Sequence, residues 1–259
     1  MAFSTTTLQF NGTTQYAKMG DVLGFEYSDA FSIGLWFKTT DVDGYLVSKM
    51  DGTPTGYGVY VKSTGALSLI LAANATNKIE VVTLGAAVND GAWHHCLVTY
   101  DGSGDFTGVK IYIDSVLRLV FAPSNNLAST SILNSAELNF AGNNNGSNLL
   151  NCKITLPAIY DVALNAVDVD RIYNDGNTYD ATKLDTSNHL VGWWVMTNPL
   201  SALDLVAANT GTLTNMDGTN RSTVTPGGGS LTSLSFDGST EYVNMGNVLS
   251  LERTNAFSL

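Results

Sequence analysis

The sequence predicts an all-β protein: a two-sheet antiparallel β-sandwich of jelly-roll type carrying one short helix. Three observations predict it. Short runs alternate apolar and polar residues and close on Gly, Asn or Asp, the pattern of antiparallel strands joined by turns. The 259 residues are 44% hydrophobic and only 14% charged, with 25 glycines, enough apolar material for one large core. The stretch LQFNGTTQYAKMGDVL (Leu8 to Leu23) returns without a gap as LSFDGSTEYVNMGNVL (Leu234 to Leu249), and AFSI (Ala30 to Ile33) returns as AFSL (Ala256 to Leu259). Roughly half of the aligned positions are identical, so this is an internal repeat. Its period of roughly 225 residues is the size of one all-β domain, not of a solenoid unit.

In chain order, AFSIGLWFKT alternates cleanly. Phe31, Ile33, Leu35 and Phe37 share one face, and Ser32, Gly34, Trp36 and Lys38 the other. DVDGYLVSKMDG is a short strand with Asp-Gly at each end. GYGVYVKSTGALSLILAA reads as a hairpin around Ser63-Thr64-Gly65. IEVVTLG follows, and WHHCLVTYDGSGDFTGVKIYIDS is a second hairpin with its tip at Asp101 through Gly108. LRLVFAP, AELNFAGN and CKITLPAIYD supply further strands, a spacing that suits a sandwich or jelly roll. One helix is expected near Ala166 to Asp175. Asn165 caps it, Asp168 and Asp170 suit its positive end, and Val169, Ile172 and Tyr173 form a docking stripe. Gly176 is the expected left-handed stop. HLVGWWVM is a strongly apolar strand, and Pro226-Gly227-Gly228-Gly229 is a flexible run. The expected organisation is a first sandwich over residues 1–188. Residues 189–259 then hold a strand, a Gly-rich linker and the start of a second, incomplete repeat. The Leu190 to Met196 strand either closes the first sandwich or opens the second.

Four segments, taken together, resemble the concanavalin A-like domains of the laminin G/pentraxin type. LQFNGTTQYAKMG resembles the family's opening strand and turn, AFSIGLWFKT its next strand, WHHCLVTYDGSG with VKIYID its hairpin, and IYDVALNAVDVDRIYNDG its closing strand and helix. They cover most of residues 8–196 in family order. Ser115 stands where the family has Gly, and Cys96 where it has Val. The resemblance implies two packed antiparallel sheets, as the alternating strands also suggest. LVGWWVM, followed by GTLTNM and a new LSFDG, resembles tandem domains in structural proteins of tailed bacteriophages and marine bacteria.

The charge balance narrows function. At a net −11 with no basic stripe, neither a nucleic-acid partner nor an anionic membrane surface is expected. No apolar run approaches the ~18 residues of a membrane span. MAFSTTTLQF lacks a basic n-region and an apolar h-region, so no signal peptide is expected. Cys96 and Cys152 read as buried free thiols, a single disulfide being the alternative. The same sandwich hosts glycoside hydrolases, which need paired carboxylates. The Glu-x-Asp-x-x-Glu strand of that branch is absent, and Glu26, Glu80 and Glu137 are scattered. No G-x-S-x-G occurs. His94 and His95 are adjacent on a strand and point to opposite faces, so they cannot share a metal, and His189 has no visible partner. No enzyme activity is expected.

Binding is the remaining class. Asp41, Asp43 and Asp51 flank one strand, and Asn143, Asn144 and Asn145 form an oxygen-rich loop. Both groups suit calcium, which takes several oxygen ligands, and the resemblance implies calcium-dependent sugar binding in such edge loops. The same residues are also ordinary turn formers. Trp36, Tyr57, Tyr60, Trp193 and Trp194 offer sugar-stacking rings or core aromatics. The leading expectation is a non-enzymatic interaction module of a virion structural protein, a capsid decoration, head fibre or tail fibre. Its expected partners are other virion proteins, copies of itself, and cell-surface glycans, with no membrane insertion. The alternative is a lectin-like carbohydrate-binding module of a bacterial surface or secreted protein. A third reading is a targeting domain attached to a hydrolase.

Overall fold

Residues that alternate in sequence form the strands of a computed structural model that describes residues 6–85, 87–127, 129–198, 201–222 and 226–227. The strands are β1 (Thr7–Asn11), β2 (Tyr16–Lys18), β3 (Phe31–Thr39), β4 (Gly44–Met50), β5 (Gly56–Val61), β6 (Leu67–Ala72), β7 (Lys78–Thr83), β8 (Trp93–Tyr100), β9 (Val109–Ile113), β10 (Val116–Leu117), β11 (Val120–Asn125), β12 (Asn139–Phe140) and β13 (Asn151–Tyr160). Helix α1 (Ala166–Tyr173) follows, then β14 (Leu190–Asn198), β15 (Ser201–Asp204), β16 (Gly211–Thr214) and β17 (Arg221–Ser222). The second copy of the repeat, Leu234 to Leu259, and its expected matches to Tyr16, Met19 and Phe31 lie outside the described residues.

All the ladders are antiparallel. Sheet I runs β17-β1-β13-β3-β8-β9-β10. Sheet II runs β11-β7-β6-β5-β4-β12-β2-β16-β15-β14. β14 joins them: Trp193 pairs with Ala158 of β13, and the next residue, Trp194, pairs with Asp204 of β15. A strand that changes sheets is a corner of the sandwich.

Period-two burial sets the core. Phe31, Ile33, Leu35 and Phe37 are all buried between the sheets, as their alternation predicts, together with Val59, Val61, Leu69, Leu71, Ile79 and Val81. Phe31 stacks on Phe25 with centroids 5.0 Å apart and lies 5.3 Å from Tyr57. Sheet I also has a covered outer face. There α1 and the turns after it lay Val169, Ile172, Ala181 and Leu184 over Leu97, Tyr112, Tyr160 and Trp193. β3 is consequently buried on both faces, which simple alternation understates.

Helix α1 begins as expected. The Asn165 side chain accepts from the Val167 and Asp168 N–H groups at 2.8 and 3.1 Å. Its end comes earlier than expected: the C-cap is Asn174 (φ 50), three residues after Arg171, and Asp175 (φ 52) and Gly176 (φ 85) continue the left-handed stretch. Asn reaches that conformation readily, so the helix stops before the glycine.

The strand pairings run past residue 188, the expected end of the first sandwich. β14 closes the first sandwich through β13, β16 pairs with β2, and β17 pairs with β1. Trp194 explains why the strand belongs there. It is fully buried, edge-on to Phe140 at 5.2 Å, and its Nε1 donates to the Asn209 carbonyl at 2.9 Å. Trp193 is buried under the helix layer instead. Both cysteines are free and buried, and burial pushes both thiols far up. Among the described residues no helix is long and apolar enough to cross a membrane.

Candidate functional site

A groove of about 720 Å³ opens on the outer face of sheet II, at the β11 edge. It is lined by Lys62, Glu80, Val82, Thr83, Phe121 and Pro123, with the Ser63-Thr64 turn beside them. The alternation that sends Ile79 and Val81 inward turns Glu80 and Val82 outward. The β5–β6 hairpin turns at Lys62, whose N–H donates to the Ala66 carbonyl at 2.8 Å, and this places the lysine beside β7. β11 is the edge strand of sheet II, so Pro123 breaks no inner ladder. The register shifts between Phe121 and Ser124, and a bulge of this kind re-aims its side chains. Phe121 remains 44% exposed, beside Leu84 at 50%.

Glu80 is the polar centre of the groove. Its two oxygens take Lys62 Nζ and Lys78 Nζ, each at 2.7 Å. Burial alone pushes its carboxyl up, but the two ammonium hydrogen bonds and charges outweigh that and hold it below the usual carboxylate range. Lys62 Nζ also lies 5.5 Å from the centre of the Tyr60 ring, within cation–π range. The groove therefore presents a fixed anion, the Lys62 cation and the Ser63 and Thr64 hydroxyls next to an aromatic and aliphatic wall, with Lys78 bracing Glu80 from outside it.

The sequence-predicted residues fall elsewhere, with one exception. Trp36 is buried and stacks on Tyr173 at 5.6 Å, so its face is not open to a sugar. Tyr57 is buried and donates from Oη to the Leu23 carbonyl at 2.8 Å, and burial pushes its phenol far up. These two are core residues, because strands β3 and β5 each turn one face to the layer that covers them. Tyr60 is the exception: half-buried, edge-on to Tyr45 at 4.8 Å, and adjoining the groove through Lys62.

The loops holding Asp41, Asp43 and Asn143 to Asn145 meet at one rim. Asp41 Oδ2 accepts from the Asn151 N–H at 2.9 Å, and the Tyr45 N–H donates to the Asn148 carbonyl at 3.0 Å. Asp51 lies at the other end of the seven-residue β4, roughly 20 Å away at ~3.3 Å per residue, so the three aspartates do not form one site. Asp41, Asp51 and Asn143 to Asn145 already have hydrogen-bonding roles in their turns. Asp51 Oδ1 accepts from Thr53 N, Thr53 Oγ1 and Thr55 N. Slight burial raises the Asp51 carboxyl, and these bonds outweigh it and lower it. Asn143 Oδ1 accepts from the Asn144 N–H, and Asn145 Oδ1 from the Ser147 N–H and hydroxyl. Among the described residues no three His, Cys, Asp or Glu side chains gather as a metal cluster.

His94 and His95 point apart, as adjacency requires. His94 sits between Asp114 at 2.7 Å and Asp90 at 3.2 Å, and the Asp114 hydrogen bond raises its pKa despite partial burial. His95 is buried beside Trp36, and burial lowers it to about 4, so it is neutral. Sequence reading passed over Lys62, Lys78, Glu80 and Phe121 as a group. The signal available was Glu80 itself, a lone carboxylate inside the apolar run IEVV.

The family model of laminin G type, described as the concanavalin A-like lectin/glucanases superfamily, matches residues 11–170. A Bacteroides ovatus protein assigned to carbohydrate binding is 14% identical, with a TM-score of 0.55 over 87% of this chain and 62% of its own. A heptameric SAP-like pentraxin from Limulus polyphemus is 17% identical, with a TM-score of 0.48 over 66% of this chain and 82% of its own. The binding domain of Paraclostridial Mosquitocidal Protein 1 is 16% identical, with a TM-score of 0.46 over 67% of this chain and 46% of its own. No curated protein matches the sequence. At these identities the likeness is one of fold, and it is the fold of lectin-like binding domains. With most of its length matched, in a sandwich of the corresponding architecture, the chain belongs to the concanavalin A-like lectin/glucanases superfamily, in its laminin G branch.

Proposed function

We propose that this chain is a non-enzymatic interaction module that takes carbohydrate in the outer groove of sheet II and is displayed on a virion surface. The groove carries the reading. A pyranose has an apolar C–H face and a rim of hydroxyls. Phe121, Val82 and Pro123 suit the first, while Glu80, Lys62 and the exposed Thr64 suit the second. Proton-transfer chemistry is unsupported there. A glycosidase acid must hold a proton, whereas Glu80 is kept ionised by two lysines, and among the described residues no second carboxylate lines the groove. Glu26 is engaged with the Ser131 hydroxyl at 2.7 Å and Glu137 with Lys18 at 2.8 Å.

The virion setting rests on the tandem repeat and on its phage-like order of motifs, with copies of the chain or other virion proteins as partners. A bacterial surface or secreted lectin would use the same groove. The test is a glycan array probed with the native chain and with Phe121→Ala, run beside a search for the chain in purified particles. Saturable glycan binding lost in Phe121→Ala supports the groove, and equal binding by both proteins contradicts it. Recovery of the chain from particles supports the virion setting. Recovery only from bacterial surfaces or culture medium supports the lectin alternative.

A further inference from the structure

On the outer face of sheet I the register sets Gln9, Lys153, Lys38 and Trp93 in one row across β1, β13, β3 and β8. Lys153 and Lys38 are therefore direct cross-strand neighbours, and like charges so placed destabilise a sheet. Both are half-buried. The placement is unexpected in a chain of net charge −11. Lys18, Lys49, Lys62 and Lys78 each reach a carboxylate within 2.8 Å. Among the described residues Lys38 and Lys153 form no ion pair, although carboxylates are near. Asp41 is engaged by the Val42 and Asn151 N–H groups, and Asp90 by the Ala92 N–H and His94.

The two ammonium groups border a pocket of about 160 Å³ that Gln9, Thr40 and Asn151 also line. Paired cations with amide and hydroxyl donors around them match the charge and donor needs of an oxyanion. A group bound there would relieve the repulsion that the fold itself leaves uncompensated. We infer that this pocket is a second binding site, specific for the sulfate or carboxylate of an acidic sugar. It stands independently of the sheet II groove, which offers a fixed carboxylate and suits neutral sugars.

The test is isothermal titration of the full chain with sodium sulfate, sodium glucuronate, sodium acetate and glucose at constant ionic strength. The proteins are the native chain, Lys38→Gln, Lys153→Gln and, as a control for lost charge alone, Lys110→Gln at the exposed position of β9. The site predicts saturable binding of sulfate and of glucuronate, none of glucose, and about a tenfold loss in each of the first two variants with no change in the third. Glucuronate binding more tightly than acetate assigns the ligand to an acidic sugar, and equal affinities overturn that assignment. Absence of saturable oxyanion binding, or an equal loss in Lys110→Gln, overturns the site. Folding is checked by melting. Relief of the lysine repulsion should raise Tm by about 1–3 °C at low salt in either site variant, so failure to fold is not an explanation open to the result.

Discussion

Glu80→Gln isolates the electrostatic centre of the groove. The substitution preserves shape and removes the charge that two lysines share at 2.7 Å. Breaking a fully buried ion pair costs about 3–5 kcal/mol, because the remaining charge is left unpaired in low dielectric. Here the carboxylate side chain is only 8% exposed, but Lys62 and Lys78 are 34% and 26% exposed and can hydrate once released. Water screening reduces the loss to about 1–2 kcal/mol. For a sandwich of this size that is a fall in Tm of roughly 3–6 °C at pH 7. The pH dependence follows from the sign. The folded-state pKa of Glu80 lies below its ordinary value, so the native chain binds fewer protons there than the unfolded chain does. The stabilisation is fully present above the ordinary value of about 4.3 and is lost as pH falls through the lower folded value. Melts of native and Glu80→Gln protein from pH 7 down to the acid limit of reversible folding measure it. The two curves should converge in acid. A gap that stays constant with pH would show that the loss is one of packing, and would refute the ion-pair argument.

Other perturbations have distinct expected outcomes. Trp194→Ala removes a fully buried ring and its bond to Asn209, and should lower unfolding free energy by about 3–5 kcal/mol in denaturant titration. Gly56→Ala places a Cβ 1.9 Å from the Lys49 carbonyl at φ 128, so it should destabilise by more than about 1 kcal/mol, whereas Gly52→Ala, with open space, should not. His94 has a raised pKa, first through Asp114, so its stabilisation is full below about pH 6.5 and fades as pH rises through the folded value. Asp114→Asn should flatten that stretch of the Tm profile. Calcium and chelator should give superimposable melts, since the turn oxygens of Asp41, Asp51 and Asn143 to Asn145 are already hydrogen-bonded. A calcium-dependent rise in Tm would restore the rim loops as a metal site.

The fold was largely legible in the sequence, because period-two burial is a local signal. The face shared by Phe31, Ile33, Leu35 and Phe37, the Asn165 cap and the single helix all follow from neighbouring residues. What local pattern misses is what covers a strand. Trp36 alternates to the outer face of sheet I, yet a helix more than a hundred residues later covers it, so an expected stacking ring is core. The same limit affects domain organisation. β14 reads as apolar, but its switch from β13 to β15 depends on distant partners. The groove is non-local as well: Lys62, Glu80 and Phe121 meet only once β5, β7 and β11 are set side by side. Acidic and amide-rich turns, by contrast, stand out in sequence whether or not they do more than turn the chain.

The central claim is that carbohydrate is held on the outer face of sheet II. Amide chemical-shift mapping of the isotope-labelled full chain tests it most directly, using a neutral oligosaccharide selected on the glycan array. The groove predicts that the amides of Lys62, Thr64, Glu80, Val82, Thr83 and Phe121 shift along one saturation curve, and that those of Asp41, Asp43 and Asn143 to Asn145 stay in place. Shifts confined to those rim loops, with the groove amides unmoved, would contradict it.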